Sequence, residues 1–129
     1  MPETQSRRLA AILAADIAGY SALMSADEAR TVRDLKAHQS VVLPMIETLG
    51  GRIIDTAGDG ILAEFPSAVS AVECAVAIQG KMAERNAEVG SERRMQFRVG
   101  IDVGESGTIS SLTTDAFFGF VLPKLAYKL

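Results

Sequence analysis

Two segments of this chain have the hydrophobic patterns of two different kinds of β-strand. Leu9 to Asp16 is an unbroken apolar run closed by a carboxylate, and a run of this length is typical of a strand covered on both faces. From Phe97 to Val103, apolar residues alternate with polar residues or glycine, which is the period of a half-buried strand. The region between them has the spacing of helices and of one hairpin, so the chain is predicted to fold as an α+β domain.

A long amphipathic helix is predicted after the first strand. Its apolar residues recur at spacings near 3.6, and they are Val32, Leu35, Val42, Ile46 and Leu49. Ser25 and Glu28 have the spacing of a capping box at its start. Pro44 is expected to kink this helix, and Gly50 with Gly51 is expected to end it.

A second helix is predicted from Ser67 onwards. Ser67 is the expected N-cap, because a serine side chain accepts a hydrogen bond from a backbone N–H of the first turn. Cys74 falls in this Ala/Val-rich stretch, so a packed thiol is expected rather than a reactive one. The side of the helix expected to be buried carries Val69, Val72, Val76 and Met82.

The stretch from Gly50 to Phe65 predicts a β-hairpin. Two short apolar runs are separated by Gly58-Asp59-Gly60, and Asp-Gly between such runs favours a type I′ turn with positive φ at both central residues. Asp59 is thereby placed at the hairpin tip, where an aspartate is also common for purely structural reasons. Asp16 is a second carboxylate, at the end of the first strand, and we expect the two to meet at one edge of the sheet.

The turn after the first strand contains Gly19. A glycine there permits a tight turn whose backbone N–H groups point outward, which is a natural place for phosphate oxygens. A lone glycine also fits an ordinary strand-to-helix turn.

Composition argues against several classes of function. The chain has 129 residues, 48% of them hydrophobic and 22% charged, which suits one packed domain. Its net charge of −3 provides no basic surface for nucleic acid. No apolar run is long enough to cross a membrane, and the start of the chain lacks the pattern of a signal peptide, so a cytoplasmic location is expected.

His38 and Cys74 are the chain's single histidine and single cysteine. A zinc site of the usual nitrogen and sulfur type is therefore not expected, and no internal disulfide can form. His38 has polar neighbours within the first predicted helix, so we expect it at the surface.

Three motifs resemble, in order and spacing, the catalytic domain of class III adenylate/guanylate cyclases. They are Asp16-Ile17-Ala18-Gly19-Tyr20-Ser21, Gly58 to Phe65, and Phe97 to Gly104. The similarity extends to about residue 105, so residues 1–105 are interpreted as the N-terminal part of such a domain. It implies a ferredoxin-like core in the order β-α-β-β-α-β, incomplete at the C-terminus, in which two helices cover one face of an antiparallel or mixed sheet.

The resemblance also implies a metal-dependent nucleotide site. Asp16 and Asp59 would hold two Mg²⁺ or Mn²⁺ ions, with the backbone carbonyl of Ile17 as a further ligand. The 3′-oxygen of ATP or GTP would attack the α-phosphorus and pyrophosphate would leave, giving the 3′,5′-cyclic nucleotide. The β- and γ-phosphates would be bound by the backbone N–H groups of Ala18, Gly19, Tyr20 and Ser21.

Asp55 occupies the position where adenylate cyclases commonly carry a lysine that selects the base. A carboxylate accepts hydrogen bonds only, so it would suit the adenine amino group or the N1–H and amino group of guanine. Asp55 would equally fit a solvent-facing position on the hairpin. The choice between ATP and GTP stays open, with ATP favoured as the commoner bacterial substrate.

The family's transition-state asparagine and arginine have no counterpart in this sequence. Those residues follow the last motif, whereas this chain has no Asn after Asn86 and no Arg after Arg98. Residues 106–129 form instead an atypical tail rich in phenylalanine. Because cyclases of this class work as dimers, a homodimer of this chain would lack the transition-state half, which a full-length cyclase partner would supply.

Two other functions are compatible with the pattern. A non-catalytic metal-nucleotide binding or dimerisation module would share Asp16 and Asp59 but form no product. A phosphoacceptor receiver domain would also place an aspartate at a strand end. The receiver requires parallel strands joined by long crossovers, which the predicted hairpin disfavours.

Overall fold

The structure, a computed structural model, describes residues 9–105. The predicted order of strand, helix, hairpin, helix and strand is confirmed, with one additional short helix after the first strand. The predicted polar lead and the atypical tail 106–129 lie outside the described residues. The elements are β1 (Leu9–Ile17), α1 (Tyr20–Ala26), α2 (Glu28–Thr48), β2 (Arg52–Ala57), β3 (Gly60–Phe65), α3 (Ala68–Asn86) and β4 (Phe97–Glu105).

The four strands form one antiparallel sheet in the order β2-β3-β1-β4. β1 is therefore central, with β3 on one side and β4 on the other. Its central residues are inaccessible on both faces, with Leu13 and Ala15 on one face and Ile12 and Ala14 on the other, all at 0–1% exposure. Burial on both faces explains why the apolar run of this strand is continuous rather than alternating. The predicted ferredoxin-like α+β core is confirmed.

The three helices pack on one face of this sheet. The core on that side joins alternate residues of β1 to buried residues of every helix, including Leu23 of α1, Val42 of α2 and Ile78 of α3. Asp16 lies on the opposite face with Ile12, because alternate residues of a strand point to opposite faces. Within residues 9–105, no helix is long and apolar enough to cross a membrane.

The buried side of α3 differs from the predicted one. Val69, Val72 and Val76 are exposed, at 67%, 40% and 60%, so the prediction that they face the core is wrong. Met82 is buried, as predicted. Two apolar stripes run along this helix, and the buried one has small side chains in its first half, at Ala71, Cys74 and Ala75, which let that half lie close to the sheet. The other buried apolar residues of α3 are Ala71, Cys74, Ala75 and Ile78.

Two local predictions for α3 are confirmed. Ser67 is its N-cap, and the Ser67 Oγ accepts the N–H of Ser70 at 3.1 Å. Cys74 is a buried free thiol, and burial raises its pKa to about 11. The thiol is therefore protonated at neutral pH and unsuited to nucleophilic chemistry.

The N-cap of α2 lies two residues after the predicted one. Ser25 belongs to α1, and the N-cap of α2 is Asp27, whose Oδ1 accepts the N–H of Arg30 at 3.1 Å. Aspartate caps a helix as well as serine does, so the capping-box spacing did not distinguish the two. Pro44 lies within α2, which continues to Thr48.

The hairpin tip is a two-residue turn of a different type from the one predicted. Ala57 pairs with Gly60, so the central residues are Gly58 and Asp59, and Gly60 already belongs to β3. Gly58 has φ +57°, and no non-glycine residue in the described part of the chain has a positive φ. Positive φ at the first central residue alone is the mark of a type II′ turn, whereas type I′ requires it at both.

His38 is buried, and the prediction of a surface position is wrong. The residue is 9% exposed, and its Nδ1 accepts a hydrogen bond from Arg85 Nε of α3 at 2.9 Å. Burial and the nearby Arg85 charge lower the pKa of His38, so the ring is neutral at pH 7. His38 lies on the same side of α2 as Leu35 and Val42, which its polar sequence neighbours did not reveal.

Candidate functional site

Asp16 lies at the carboxyl end of β1, beside the start of β4. It is directly opposite Arg98 in the β1–β4 register, so the two side chains stand on the same face of the sheet. Arg98 Nε donates to Asp16 Oδ1 at 2.8 Å, and Arg98 Nη2 donates to Oδ2 at 2.6 Å. Because the Asp16 side chain is only 16% exposed, this bidentate pair neutralises a carboxylate that is largely removed from water.

Asp59 reaches the same edge of the sheet from the hairpin tip. Its Oδ2 accepts the backbone N–H of Ile17 at 2.9 Å, which fixes the tip against the end of β1. The hydrogen bond to Asp16, together with the charges of Asp16 and Asp59, raises the pKa of Arg98. The structure therefore brings Asp16, Ile17 and Asp59 together at one sheet edge, where the hairpin tip and the strand end were expected to meet.

The backbone of Ile17 faces the hairpin tip rather than β4. The Ala18 N–H donates to the Gln96 carbonyl at 2.8 Å, so Ala18 belongs to a hydrogen-bonded pair of the antiparallel β1–β4 ladder. Because the two kinds of pair alternate along such a ladder, the adjacent Ile17 belongs to a non-hydrogen-bonded pair. The N–H and C=O of a strand residue point to the same side. The Ile17 carbonyl is therefore directed toward the side of Asp59, as its N–H is.

The turn from β1 to α1 is left-handed at Gly19, with φ +66°. Glycine suits this position, because residues with a Cβ are strained there. The N–H groups of Tyr20 and Ser21 open α1, where the helix itself offers them no carbonyl. The Ala18 N–H, in contrast, is bonded to Gln96, so a phosphate would have to compete with that carbonyl for it.

The Tyr20 side chain lies within electrostatic range of the hairpin tip. Burial, the charge of Asp59 and the charge of Glu28 raise the pKa of Tyr20. Its phenol is therefore protonated at neutral pH, as a hydrogen-bond donor beside the carboxylate edge.

Asp55 is an exposed residue of β2, next to a register irregularity that follows Ile53. It pairs with Leu62, which in turn pairs with Ala14 of β1. Asp55 and Asp16 therefore share the face opposite the helices. Two strand spacings and two residues separate them, which corresponds to about 12 Å between their Cα atoms in ideal sheet geometry.

The donor atoms at this edge fit a hard divalent cation. Two carboxylates and one backbone carbonyl supply oxygen only, the ligand type that Mg²⁺ and Mn²⁺ prefer. Residues 9–105 contain no group of three or more His, Cys, Asp and Glu side chains suited to a metal, so water and substrate oxygens would complete the coordination, as is usual for Mg²⁺. Arg98 holds both oxygens of Asp16 and would have to give way to such an ion.

Arg98 is the residue of this edge that the sequence pattern did not single out. Its partner Asp16 is 82 positions away, and only the antiparallel register of β1 and β4 joins them. Arg98 is the one cation between Phe97 and Glu105. That isolated positive charge was the signal available in the sequence.

Comparison with known proteins shows that this chain is similar to cyclases. No family model matches the chain. Over 104 residues the chain is 48% identical to the Rhizobium meliloti (strain 1021) protein "Putative adenylate cyclase 3", a match that covers 80% of this chain and 18% of that protein. The crystal structure of an adenylate/guanylate cyclase/hydrolase from Silicibacter pomeroyi has a TM-score of 0.70 and 43% identity, over 77% of this chain and 58% of that one.

The chain resembles class III adenylate/guanylate cyclase catalytic domains in sequence and in fold. The crystal structure of the guanylyl cyclase Cya2 extends the likeness, with a TM-score of 0.67 and 28% identity over 77% of this chain. The chain spans 55% to 58% of these two solved cyclase chains. The predicted resemblance to cyclases is confirmed.

Proposed function

We propose that this chain provides the metal-binding half of a nucleotidyl cyclase site that acts on ATP or GTP. The resemblance to cyclases supports the reaction class. The observation that carries the proposal is the meeting of Asp16 and Asp59 at Ile17. The product would be the 3′,5′-cyclic nucleotide, with pyrophosphate as the leaving group, in cyclic-nucleotide signalling.

Asp16, Asp59 and the Ile17 carbonyl would hold two Mg²⁺ or Mn²⁺ ions. When bound, such ions polarise the attacking 3′-hydroxyl and neutralise the pyrophosphate that leaves. The Asp59 carboxylate is oriented in advance by the N–H of Ile17, so little reordering of this side chain is needed on binding.

Arg98 has a different role before and after a cation binds. Arg98 neutralises Asp16 through two hydrogen bonds. A divalent cation carries twice the charge of a guanidinium and is the stronger partner for the carboxylate. Arg98 would then be released at the same edge, where it would add positive charge next to the triphosphate.

The β- and γ-phosphates would be bound by backbone N–H groups of the β1–α1 turn. Gly19, Tyr20 and Ser21 would donate directly. Ala18 would donate only after its N–H leaves the Gln96 carbonyl. The left-handed Gly19 keeps this turn free of a Cβ that would approach the phosphate.

Asp55 is proposed to accept a hydrogen bond from the base. Asp55 lies on the same face of the sheet as Asp16, with about 12 Å between their Cα atoms. Base recognition would therefore take place away from the metal-binding edge formed by Asp16, Ile17 and Asp59. Adenine would offer one amino group and guanine an amino group and N1–H, so both substrates remain in the proposal, with ATP preferred.

The groups that stabilise the transition state would come from a partner subunit. The sequence has no Asn after Asn86 and no Arg after Arg98, so this chain offers no counterpart to the family's transition-state pair after its last motif. Loss of donors aimed at transition-state charge typically lowers turnover by ~10²-fold to 10³-fold each. We therefore expect this chain alone to turn over slowly.

A cyclase assay on the full chain tests the proposal. The chain is incubated at high concentration with Mn²⁺ and either ATP or GTP, and both cyclic products are measured. Metal-dependent product is expected to vanish in Asp59→Asn and to persist in Glu84→Gln. Glu84 is an exposed residue of α3 paired with Lys81, and its substitution controls for the loss of one negative charge. Product formation that survives in Asp59→Asn would contradict the assigned metal site.

A non-catalytic metal-nucleotide binding module is the second candidate. The observation that favours it is that this sequence has no Asn after Asn86 and no Arg after Arg98 to match the family's transition-state pair. This function predicts Mn²⁺-dependent nucleotide binding without product. Calorimetry on the same variants distinguishes it, because binding without turnover that is lost in Asp59→Asn supports the module and excludes the active cyclase.

A further inference from the structure

The short helix α1 follows directly on the turn that is proposed to bind the triphosphate. It has seven residues, Tyr20–Ala26, which are too few for a helix to be stable by itself in water. Its buried residue is Leu23, and the Leu23 N–H donates to the carbonyl of Gly19 at 3.2 Å. The conformation of the β1–α1 turn, residues 18–21, therefore depends on the contacts that hold Leu23 in place.

The carbonyl of Leu23 accepts hydrogen bonds from two donors. The N–H of Asp27 donates to it at 3.1 Å, within the backbone that closes the helix. Thr31 Oγ1 of α2 donates to the same oxygen at 2.8 Å. Thr31 is completely buried, so this hydroxyl has to find its partners within the protein. A side-chain hydroxyl thereby attaches the last turn of α1 to α2.

Arg93 contacts the Thr31 hydroxyl from the segment that precedes β4. Its Nη2 donates to Thr31 Oγ1 at 3.0 Å, and its backbone N–H donates to the Gly90 carbonyl at 2.9 Å. The hydroxyl of Thr31 has one proton, which it gives to Leu23, and its oxygen accepts from Arg93. Because hydrogen bonds in a chain polarise one another, a hydroxyl that accepts from a cation is a stronger donor.

The guanidinium of Arg93 lies at this place although its other donors are poorly satisfied. Its Nε and Nη1 are buried and have no hydrogen-bond partner among residues 9–105. Buried charged donors without an acceptor are costly, so packing alone does not explain an arginine here. The hydrogen bond to Thr31 gives this side chain a specific role.

We propose that Thr31 and Arg93 are positioning residues for the triphosphate, an inference that rests on the proposed nucleotide site. A chain of hydrogen bonds runs from Arg93 through Thr31 and Leu23 to the carbonyl of Gly19. It fixes the β1–α1 turn before the substrate binds, so that the backbone N–H groups of this turn keep one orientation for the β- and γ-phosphates. Donors that are ordered in advance bind an anion without the entropic cost of ordering a loop.

The carboxylates of the metal edge are held by other contacts. Asp59 accepts from the Ile17 N–H, and Asp16 accepts from Arg98. Loss of the Thr31 hydroxyl should therefore weaken the binding of a triphosphate and leave the binding of Mn²⁺ alone unchanged. A general loss of structure would weaken both.

Calorimetry on the full chain tests the proposal with two probes. One is Mn²⁺ alone, and the other is Mn²⁺ with an ATP analogue whose α- and β-phosphorus atoms are joined by a methylene group, which prevents turnover. Thr31→Val replaces the hydroxyl by a methyl group and is expected to weaken binding of the analogue by about 3-fold to 10-fold, with Mn²⁺ binding unchanged. Thr31→Ser keeps the hydroxyl and should bind the analogue as the wild type does. Thr48→Val changes an exposed threonine of the same helix and is the matched control.

Arg93→Met tests the same chain of hydrogen bonds without altering Thr31, and it carries the test if Thr31→Val does not fold. It keeps an apolar stem and removes the guanidinium, so binding of the analogue is expected to weaken several-fold. The double variant should bind the analogue no more weakly than Thr31→Val, because both substitutions break one network. Arg33→Met changes an exposed residue of α2 and controls for the loss of one positive charge.

Three results would overturn the positioning role. They are equal affinity of the wild type and Thr31→Val for the analogue, a parallel loss of Mn²⁺ affinity, and no recovery of analogue binding in Thr31→Ser. A wild-type chain that does not bind the analogue with Mn²⁺ would instead contradict the proposed nucleotide site, and the positioning role would fall with it. Binding by the wild type therefore distinguishes failure of this inference from failure of the proposed function.

Discussion

At the scale of single residues, the pairing of Asp16 with Arg98 sets the electrostatics of the candidate site. The carboxylate is largely buried, and the guanidinium takes both of its oxygens. A buried charge without a partner would be costly, so the ion pair with Arg98 stabilises Asp16 at this place. The same pairing means that a cation has to displace Arg98 before it can use Asp16.

Replacing Arg98 by glutamine is therefore expected to strengthen Mn²⁺ binding in the absence of nucleotide by roughly 3-fold to 10-fold. Calorimetry on the wild type and Arg98→Gln measures the change. Arg33→Gln controls for the loss of one positive charge away from the site. If Arg98→Gln binds Mn²⁺ no better than the wild type, the ion pair does not compete with the metal.

His38 predicts a pH-dependent stability. Burial lowers the pKa of His38 in the folded chain below its ordinary 6.5, so between the two pKa values the unfolded chain binds more protons and stability rises with pH. The contribution of neutral His38 to the free energy of unfolding is complete above pH 6.5 and is lost as the pH falls through the folded-state pKa. Its slope reaches at most about 1.4 kcal/mol per pH unit.

Urea unfolding at a series of pH values checks this expectation. The wild type should lose stability below about pH 6.5, and His38→Gln should lack this part of the slope. Glutamine retains a carbonyl oxygen that can accept from Arg85, so the contact between α2 and α3 is kept while the titration is removed. An unchanged slope in His38→Gln would assign the pH dependence to other groups.

At the scale of elements, α3 shows that side-chain volume as well as hydropathy decides which side of a helix is buried. The stripe with Ala71 and Ala75 is fully buried, whereas Val72 and Val76 are exposed. Small residues let the helix approach the sheet closely, and close packing leaves little room for extra methyl groups. Hydrophobic spacing alone did not distinguish these two stripes.

The two sides of α3 should respond differently to substitution. Ala75→Leu forces a larger side chain into a packed interior and is expected to destabilise the chain by about 1–3 kcal/mol. Val76→Thr changes an exposed residue and should alter stability by less than about 0.5 kcal/mol. Chemical denaturation of both variants provides the measurement. The reverse order of effects would contradict the packing of this helix.

At the scale of the whole molecule, the antiparallel sheet assembles the candidate site from distant parts of the chain. Ile17 and Asp59 are 42 positions apart, and Asp16 and Arg98 are 82 apart. β1 is the central strand, so its end is adjacent both to the hairpin tip and to the start of β4. Asp16, Ile17 and Asp59 are thereby brought together within one chain.

A mixing experiment tests whether a partner completes the site. A full-length cyclase relative whose metal aspartates are replaced is inactive by itself and retains its transition-state residues. Adding this chain is expected to restore cyclase activity, because one composite site then has both halves. Asp59→Asn of this chain is the control and should not restore activity. The absence of any rescue by the wild-type chain would exclude the composite site.

Sequence reasoning reached most of the fold because the strands carry strong local signals. The continuous run of β1, the alternation of β4 and the glycine-bounded hairpin each followed from periodicity and turn chemistry. The missed features had competing local signals. Asp27 and Ser25 are both capping residues, and Gly58 gives a type II′ turn where Asp59-Gly60 suggested type I′.

The sequence by itself determined the order of the four strands and the two long helices, the resemblance to cyclases and the positions of Asp16 and Asp59 at the ends of their segments. These depend on local periodicity and on motif spacing, which the chain carries along its length. The tertiary structure alone decided that Arg98 pairs with Asp16, that His38 is buried against Arg85, and that Thr31 joins Leu23 to Arg93. Each of these depends on strand register or helix packing between distant segments, and neither is encoded in a short stretch of residues.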